Sequence, residues 1–187
     1  MSTPSTPSLR DEAAGPDAVA ANQPVAGRSA VLHDVVAVLG TYVAVGVVGA
    51  VLWWLLCDTA TFTVTRNGGL AMGEAELAQR FNPDAWYAVI AAVVGVVSGA
   101  AVTWWRSRDQ VLTSVLLLVG SALAAAVMAV LGGWLGPADP ETLVTTAQAG
   151  ARLAAPLAVD APAIYFVWPV SALIGALVVL WSPTSTD

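Results

Sequence analysis

Long uncharged apolar runs dominate the pattern along the chain, and four of them are long enough to cross a membrane. They cover residues 35–57, 85–105, 111–135 and 161–181. The first run, as a helix rising 1.5 Å per residue, is about 34 Å long, against a hydrocarbon core of about 30 Å. Tryptophans stand near the ends of the runs, where their rings favour the membrane–water interface. The pattern therefore predicts an all-α integral membrane protein with four transmembrane helices.

Two longer polar stretches connect these runs. Residues 58–84 lie between the first and second runs, and residues 136–160 lie between the third and fourth. In the first stretch, Thr61–Thr65 alternates polar and apolar positions and Asn67-Gly68 favours a tight turn, which predicts a β-hairpin. A short helix over Glu74–Phe81 follows. In the second, Asp139-Pro140-Glu141 predicts a helix start, with the helix ending at Gly150. An extended segment, Arg152–Val159, comes next. We expect the two loops to form a small α+β cap.

The ends of the chain and one short turn determine the expected topology. Residues 1–30 are rich in Ser, Thr, Pro, Ala and Asp, which predicts a disordered tail ahead of a membrane domain at 31–183. The turn Arg106–Gln110 is so short that the second and third spans must be antiparallel neighbours. Four spans put both termini and this arginine-rich turn on one side, which the positive-inside rule assigns to the cytoplasm. The prediction is a multi-pass protein of a bacterial plasma membrane, with both termini cytoplasmic and an extracytoplasmic cap.

The second and fourth runs share several features. Each follows an acidic residue, Asp84 or Asp160, which we interpret as a helix N-cap. Each also carries a small-xxx-small face suited to close helix packing, Gly95 and Gly99 in one and Ser171 and Gly175 in the other. The two runs align at an offset of 76 residues. The match is open to two interpretations: a duplicated helix–loop–helix unit, or coincidence in runs dominated by Ala, Val and Gly.

A proline stands inside the fourth run, at Trp168-Pro169. Within a continuous helix it would remove one backbone hydrogen bond and clash with the preceding turn, so a kink is expected. Two interpretations stay open: the kink opens a small cavity or hinge, or it only bends the helix to follow its neighbours.

The composition excludes several classes of function. Hydrophobic residues make up 57% of the chain and charged residues 11%, against about a quarter in soluble domains. The seven basic residues are all arginine, and they do not form the basic cluster that a nucleic-acid surface requires. With one cysteine and one histidine, the chain offers no disulfide, no HExxH zinc motif and no other metal-ligand cluster; a phosphate-binding loop is also missing. We expect no catalytic, cofactor-binding or metal-binding residues, and therefore no enzyme.

Several short motifs, taken together, resemble an actinobacterial group of four-span membrane proteins that is catalogued only as a domain of unknown function. The shared residues are the small-residue run Gly95…Ser98-Gly99-Ala100, Gly133-Trp134-Leu135-Gly136-Pro137, Ala155-Pro156-Leu157 and the stretch Trp168–Leu173. The resemblance covers roughly residues 35–183. It implies an integral membrane protein and brings no activity with it.

These observations favour a non-enzymatic structural or accessory component of the cell envelope. Its expected partners are the lipid bilayer and either another membrane protein or a second copy of the chain. The alternative is a small passive channel or carrier that acts as an oligomer and uses the Pro169 kink and the repeat.

Overall fold

A computed structural model describes residues 26–105 and 110–182. Most of the predicted tail and the turn at Arg106–Asp109 lie outside the described residues. The chain divides into two compact units, Met1–Val35 and Val36–Asp187. The described part of the first unit, residues 26–35, is entirely helical.

The described chain is mostly helical, with a small sheet. In chain order its elements are α1 (Ala26–Leu56), β1 (Thr61–Val64), β2 (Leu70–Ala71), α2 (Glu74–Gln79), α3 (Asn82–Trp105), α4 (Gln110–Leu135), α5 (Pro140–Leu143), β3 (Arg152–Ala154), a 3-10 helix (Pro162–Phe166) and α6 (Val167–Trp181). Four helical segments within residues 26–105 and 110–182 are long and apolar enough to cross a membrane. They are Leu32–Leu56, Glu74–Trp105, Gln110–Leu143 and Pro162–Trp181.

Apolar side chains cover the outward faces of these helices as well as their inward faces. Val97 is 63% exposed in α3 and Val178 is 62% exposed in α6, and many neighbouring valines and leucines are similarly open. A helix of a water-soluble protein confines its apolar residues to one stripe. The four helices are apolar all round, which is the pattern of a helix surrounded by an apolar medium.

α3 and α6 cross through their smallest residues. A methyl group added at Gly99 would overlap the backbone of Ala172, and one added at Gly175 would overlap the backbone of Val96. At Gly95 an added Cβ would lie 2.8 Å from the Cβ of Ser171. The structure thus brings together the two small-residue faces seen in the sequence, and it leaves no room for a larger side chain.

α1 and α4 pack by placing large side chains of α1 on small residues of α4. The Tyr42 ring lies over Gly120, and the Trp53 indole lies over Gly132. Further along, Gly46 of α1 approaches the Ala124 backbone. Tyr42 and Trp53 are both fully buried in this arrangement.

The three strands form one antiparallel sheet in the order β2-β1-β3. β1 and β2 make the predicted hairpin, which Gly68 turns with a positive φ of +74°. β3 comes from the second loop and pairs with β1, with Phe62 opposite Leu153. A two-stranded hairpin alone is barely stable, so the third strand supplies the support that the hairpin requires. The pairing also places both loops, residues 57–81 and 136–161, at the same end of the helices; we call them the cap.

One helix extends beyond its predicted span, and one predicted helix end was wrong. The first span lies at Leu32–Leu56, close to the predicted 35–57, but α1 begins at Ala26, inside the predicted tail, because polar residues can continue a helix beyond its apolar run. α5 ends at Leu143 instead of continuing to Gly150. The residues after it are rich in threonine, and the hydroxyls of Thr142 and Thr146 donate to the carbonyls of Asp139 and Leu143. Such local bonds compete with a continuing helix.

Pro169 does not interrupt a continuous helix. The chain runs as a 3-10 helix over Pro162–Phe166 and changes to α-helix at Val167, so Pro169 is the third residue of α6. Backbone N–H groups in the first turn of an α-helix have no partner within that helix. The missing N–H of proline is therefore tolerated here, two residues after the change from 3-10 helix to α-helix.

Candidate functional site

A groove of about 290 Å³ opens in the cap, between the sheet, the start of α3 and α5. Both loops contribute to its walls, and we call it the cap groove. Its apolar surface comes chiefly from three sheet or near-sheet side chains and three prolines, and its charged surface from four residues. The apolar set is Phe62, Leu70, Met72, Pro83, Pro140 and Pro156, and the charged set is Arg80, Asp139, Glu141 and Asp160.

The Asp84 carboxylate joins the second loop to the start of α3. The backbone N–H of Asp160 donates to Asp84 Oδ1 at 3.0 Å, and that of Ala161 donates to Oδ2 at 3.2 Å. Asp84 is only 8% exposed, so these two donors replace the water that the carboxylate loses. The prediction that Asp84 is an N-cap was wrong: α3 begins at Asn82, and Asp84 lies inside its first turn.

Asp160 was also predicted as an N-cap, and the structure corrects this. Ala161 precedes the 3-10 helix, and no side chain caps it. The Asp160 carboxylate instead accepts a hydrogen bond from Arg80 Nε at 3.2 Å. Both side chains are more than half exposed, so water screens this ion pair and its contribution to stability is small.

Two further carboxylates, those of Asp139 and Glu141, line the cap groove. Asp139 caps α5, as predicted, because its Oδ1 accepts the N–H of Glu141 at 2.9 Å. Glu141 itself is exposed. Arg80 is the one basic residue among the described residues that line the groove, and its guanidinium bonds to Asp160, so Asp139 and Glu141 leave the lining with a net negative charge.

A layer of aromatic side chains lies beneath the cap. Trp53 Nε1 donates to the Pro83 carbonyl at 2.9 Å, and the Tyr87 hydroxyl donates to the Ala125 carbonyl at 2.9 Å. The rings of Trp53 and Tyr87 meet edge to face with centroids 5.3 Å apart, and Tyr165 adds a second such contact to Tyr87 at 5.8 Å. These bonds connect α1, α3 and α4 through buried groups and give the cap groove a firm base.

The structure separates the two residues singled out at the predicted kink. Trp168 is fully buried, with its ring against Gly49 and its carbonyl close to Gly95. Pro169 lies on the side of the bundle, where it lines a shallow lateral groove of about 360 Å³ with Tyr165, Phe166 and alanines of α4. This groove is almost entirely apolar and faces outward between α4 and α6. Among its lining side chains, only that of Tyr165 carries a group that can form a hydrogen bond with a polar ligand.

Reactive chemistry is sparse in the part of the chain that the structure describes. Within it, no group of three or more His, Cys, Asp or Glu residues is arranged to hold a metal ion. Cys57 follows the last residue of α1, and partial burial, together with the neighbouring Asp58 carboxylate, raises the pKa of its thiol to about 11. A thiol of that pKa stays protonated, and so weakly nucleophilic, at neutral pH.

The sequence predicted that the two loops form a cap but not that β1 pairs with β3, and so it missed the cap groove. One signal pointed towards it: the offset of 76 residues aligns Asp84 with Asp160, and these two residues are in contact. Comparison with protein-family models, curated proteins and solved structures found no match. The resemblance to a four-span actinobacterial group therefore stays a prediction.

Proposed function

We propose that the protein is an integral protein of a bacterial plasma membrane, and that it serves as a non-enzymatic structural or accessory component of the cell envelope. The observation that carries the membrane assignment is the exposure of apolar side chains on the outward faces of four long helices. Burying them in lipid removes the large apolar surface that would otherwise face water.

The proposed orientation follows from the sheet and the arginines. Because β3 pairs with β1, the two loops lie at one end of the helices. With four spans, we place the termini and the turn at residues 106–109 on the other side of the membrane. That other side carries four of the seven arginines, two of them in the short turn. Short basic loops stay in the cytoplasm, so the cap faces outward.

The packing of the bundle supports an accessory role over transport. Trp53, Tyr87, Met128 and Trp168 are fully buried and fill its interior beneath the cap. Close glycine contacts join α3 to α6 and α1 to α4. Such an interior suits a rigid support for the cap, and we do not advance the channel or carrier as a second function.

Gentle extraction from native membranes, followed by native mass spectrometry, tests the accessory role. We expect the chain to co-purify with another envelope protein, or with itself, at a fixed stoichiometry. A consistently monomeric chain without a partner would count against the proposal. Selective solute flux through liposomes containing the pure chain would favour the passive channel or carrier instead.

A further inference from the structure

We propose that the cap groove binds an extended peptide segment of a partner protein, in which a basic side chain stands next to an apolar one. The inference rests on the proposed accessory function and deepens it by naming the surface and the chemistry of the contact.

The shape of the cap groove suits an anchor of a few side chains. At about 290 Å³ it is close to the lower end of typical ligand sites, which begin near 300 Å³. Phe62 and Met72 supply apolar surface, and Pro83, Pro140 and Pro156 supply wall segments with a fixed φ. A wall that is already rigid loses little conformational entropy when a peptide binds.

The charge of the cap groove selects a cationic partner. Arg80 and Asp160 pair with each other, which leaves the carboxylates of Asp139 and Glu141 without a basic partner among the lining residues. The surroundings have the same sign, because the two loops and their junctions with the helices hold seven carboxylates against three guanidinium groups. This field attracts cationic segments and repels anionic ones.

The combination of apolar and acidic lining residues favours a peptide as the occupant of the cap groove. The apolar residues and the uncompensated carboxylates line the same cavity, so the ligand must offer an apolar group and a positive charge a few ångströms apart. Adjacent side chains of an extended peptide offer both at once. If the chain is an accessory protein, its partner proteins would supply this extended segment.

Peptide binding to the full chain in nanodiscs of uncharged lipid tests the proposal. The probe is a labelled hexapeptide of alternating Leu and Lys; the two control peptides replace Lys by Glu or Leu by Ser. We expect saturable binding of the first peptide alone, above that of empty nanodiscs. In the double variant Asp139→Asn, Glu141→Gln the dissociation constant should rise about tenfold, through loss of two partly exposed charge pairs.

The variants are chosen so that the fold is preserved. Asn caps a helix as well as Asp, so Asp139→Asn removes the charge and keeps the cap of α5. The matched control, Glu74→Gln with Glu76→Gln, removes two charges from α2, which does not line the groove, and should weaken binding much less than the groove variant does. If the double variant fails to fold, Glu141→Gln alone should still weaken binding about threefold.

Several outcomes would overturn the proposal. The first is the absence of saturable binding. The second is a loss of affinity in the control variant as large as that in the groove variant. The third is equal affinity for the peptide in which Ser replaces Leu, which would mean that the contact is purely electrostatic. A change in subunit number in the Asp139, Glu141 variant would identify a second copy as the occupant. If the peptide does not bind and the native partner still co-purifies with this variant, the groove inference fails and the accessory function stands. A chain without any partner in native membranes removes the accessory function, whatever the peptide does.

Discussion

At the scale of single residues, the carboxylate of Asp84 has the best-defined structural role, because it joins the start of α3 to the second loop. It is buried at the start of α3 and accepts two backbone N–H groups from the other loop. The sequence marked Asp84 and Asp160 as important, since each precedes an apolar run. It could not tell that Asp84 bonds to a backbone 76 residues away, because an acid at a helix start looks the same whether it caps its own helix or a distant loop.

Removing the Asp84 carboxylate should destabilise the protein far more than removing that of Asp160. Asp84→Ala leaves two backbone N–H groups without acceptors, at a cost of about 1–3 kcal/mol each if both stay buried. Asp160→Ala breaks an exposed ion pair, which is worth at most about 1 kcal/mol. Reversible unfolding in detergent micelles measures both. Equal losses for the two variants would contradict the assigned roles.

The Cys57 thiol should react slowly and with a strong dependence on pH. Because burial raises its pKa to about 11, the thiolate is scarce at pH 7.5 and its population increases about tenfold with each pH unit up to that value. Relative to a thiol at the ordinary value of 9.0, maleimide labelling at pH 7.5 should be roughly a hundredfold slower. A cysteine introduced at the exposed Thr145 is the reference. Equal labelling rates for both cysteines at pH 7.5 would show that Cys57 is not shielded.

At the scale of elements, the apolar pattern and the turn residues predicted the long helices and the hairpin. The third strand and the 3-10 helix could not be predicted in this way. β1 and β2 were recognisable from alternation and Asn67-Gly68. That β1 also pairs with β3 was not recognisable, because Arg152–Ala154 has no periodicity of its own. The 3-10 helix before α6 was missed for a related reason: its residues are as apolar as those of an α-helical span.

The crossing of α3 and α6 should tolerate no side chain at Gly99. Gly99→Val places methyl groups into the Ala172 backbone, so the helices must separate; overpacking of this kind costs about 1–3 kcal/mol. Gly40→Val in α1 is the matched control, because an added Cβ there meets nothing within 4 Å. It should change stability by no more than about 0.5 kcal/mol. Unfolding in micelles compares the two, and similar losses would mean that close packing at Gly99 is unimportant.

At the scale of the whole molecule, the contacts between α3 and α6 are reciprocal. Gly99 meets Ala172 and Gly175 meets Val96, and the offset of 76 residues exchanges one pair for the other. Gly95 meets Ser171, its own counterpart, as Asp84 meets Asp160. Two related halves packed around a local two-fold axis would produce this pattern. Any two parallel helices packed in register exchange contacts in this way, so the duplication stays a hypothesis. The structure adds that the register of the packing equals the offset of the sequence match.

The central claim is that four spans place both loops on the outer side of a membrane, and cysteine accessibility in intact cells tests it most directly. In a background carrying Cys57→Ala, single cysteines are introduced at Asn67, Thr145 and Ser107, one in each connecting segment, and exposed to a membrane-impermeant maleimide. We predict labelling of Asn67→Cys and Thr145→Cys in intact cells, and of Ser107→Cys only after permeabilisation. Protection of both loops with labelling at position 107 would reverse the orientation, and labelling of only one loop would contradict the four-span architecture.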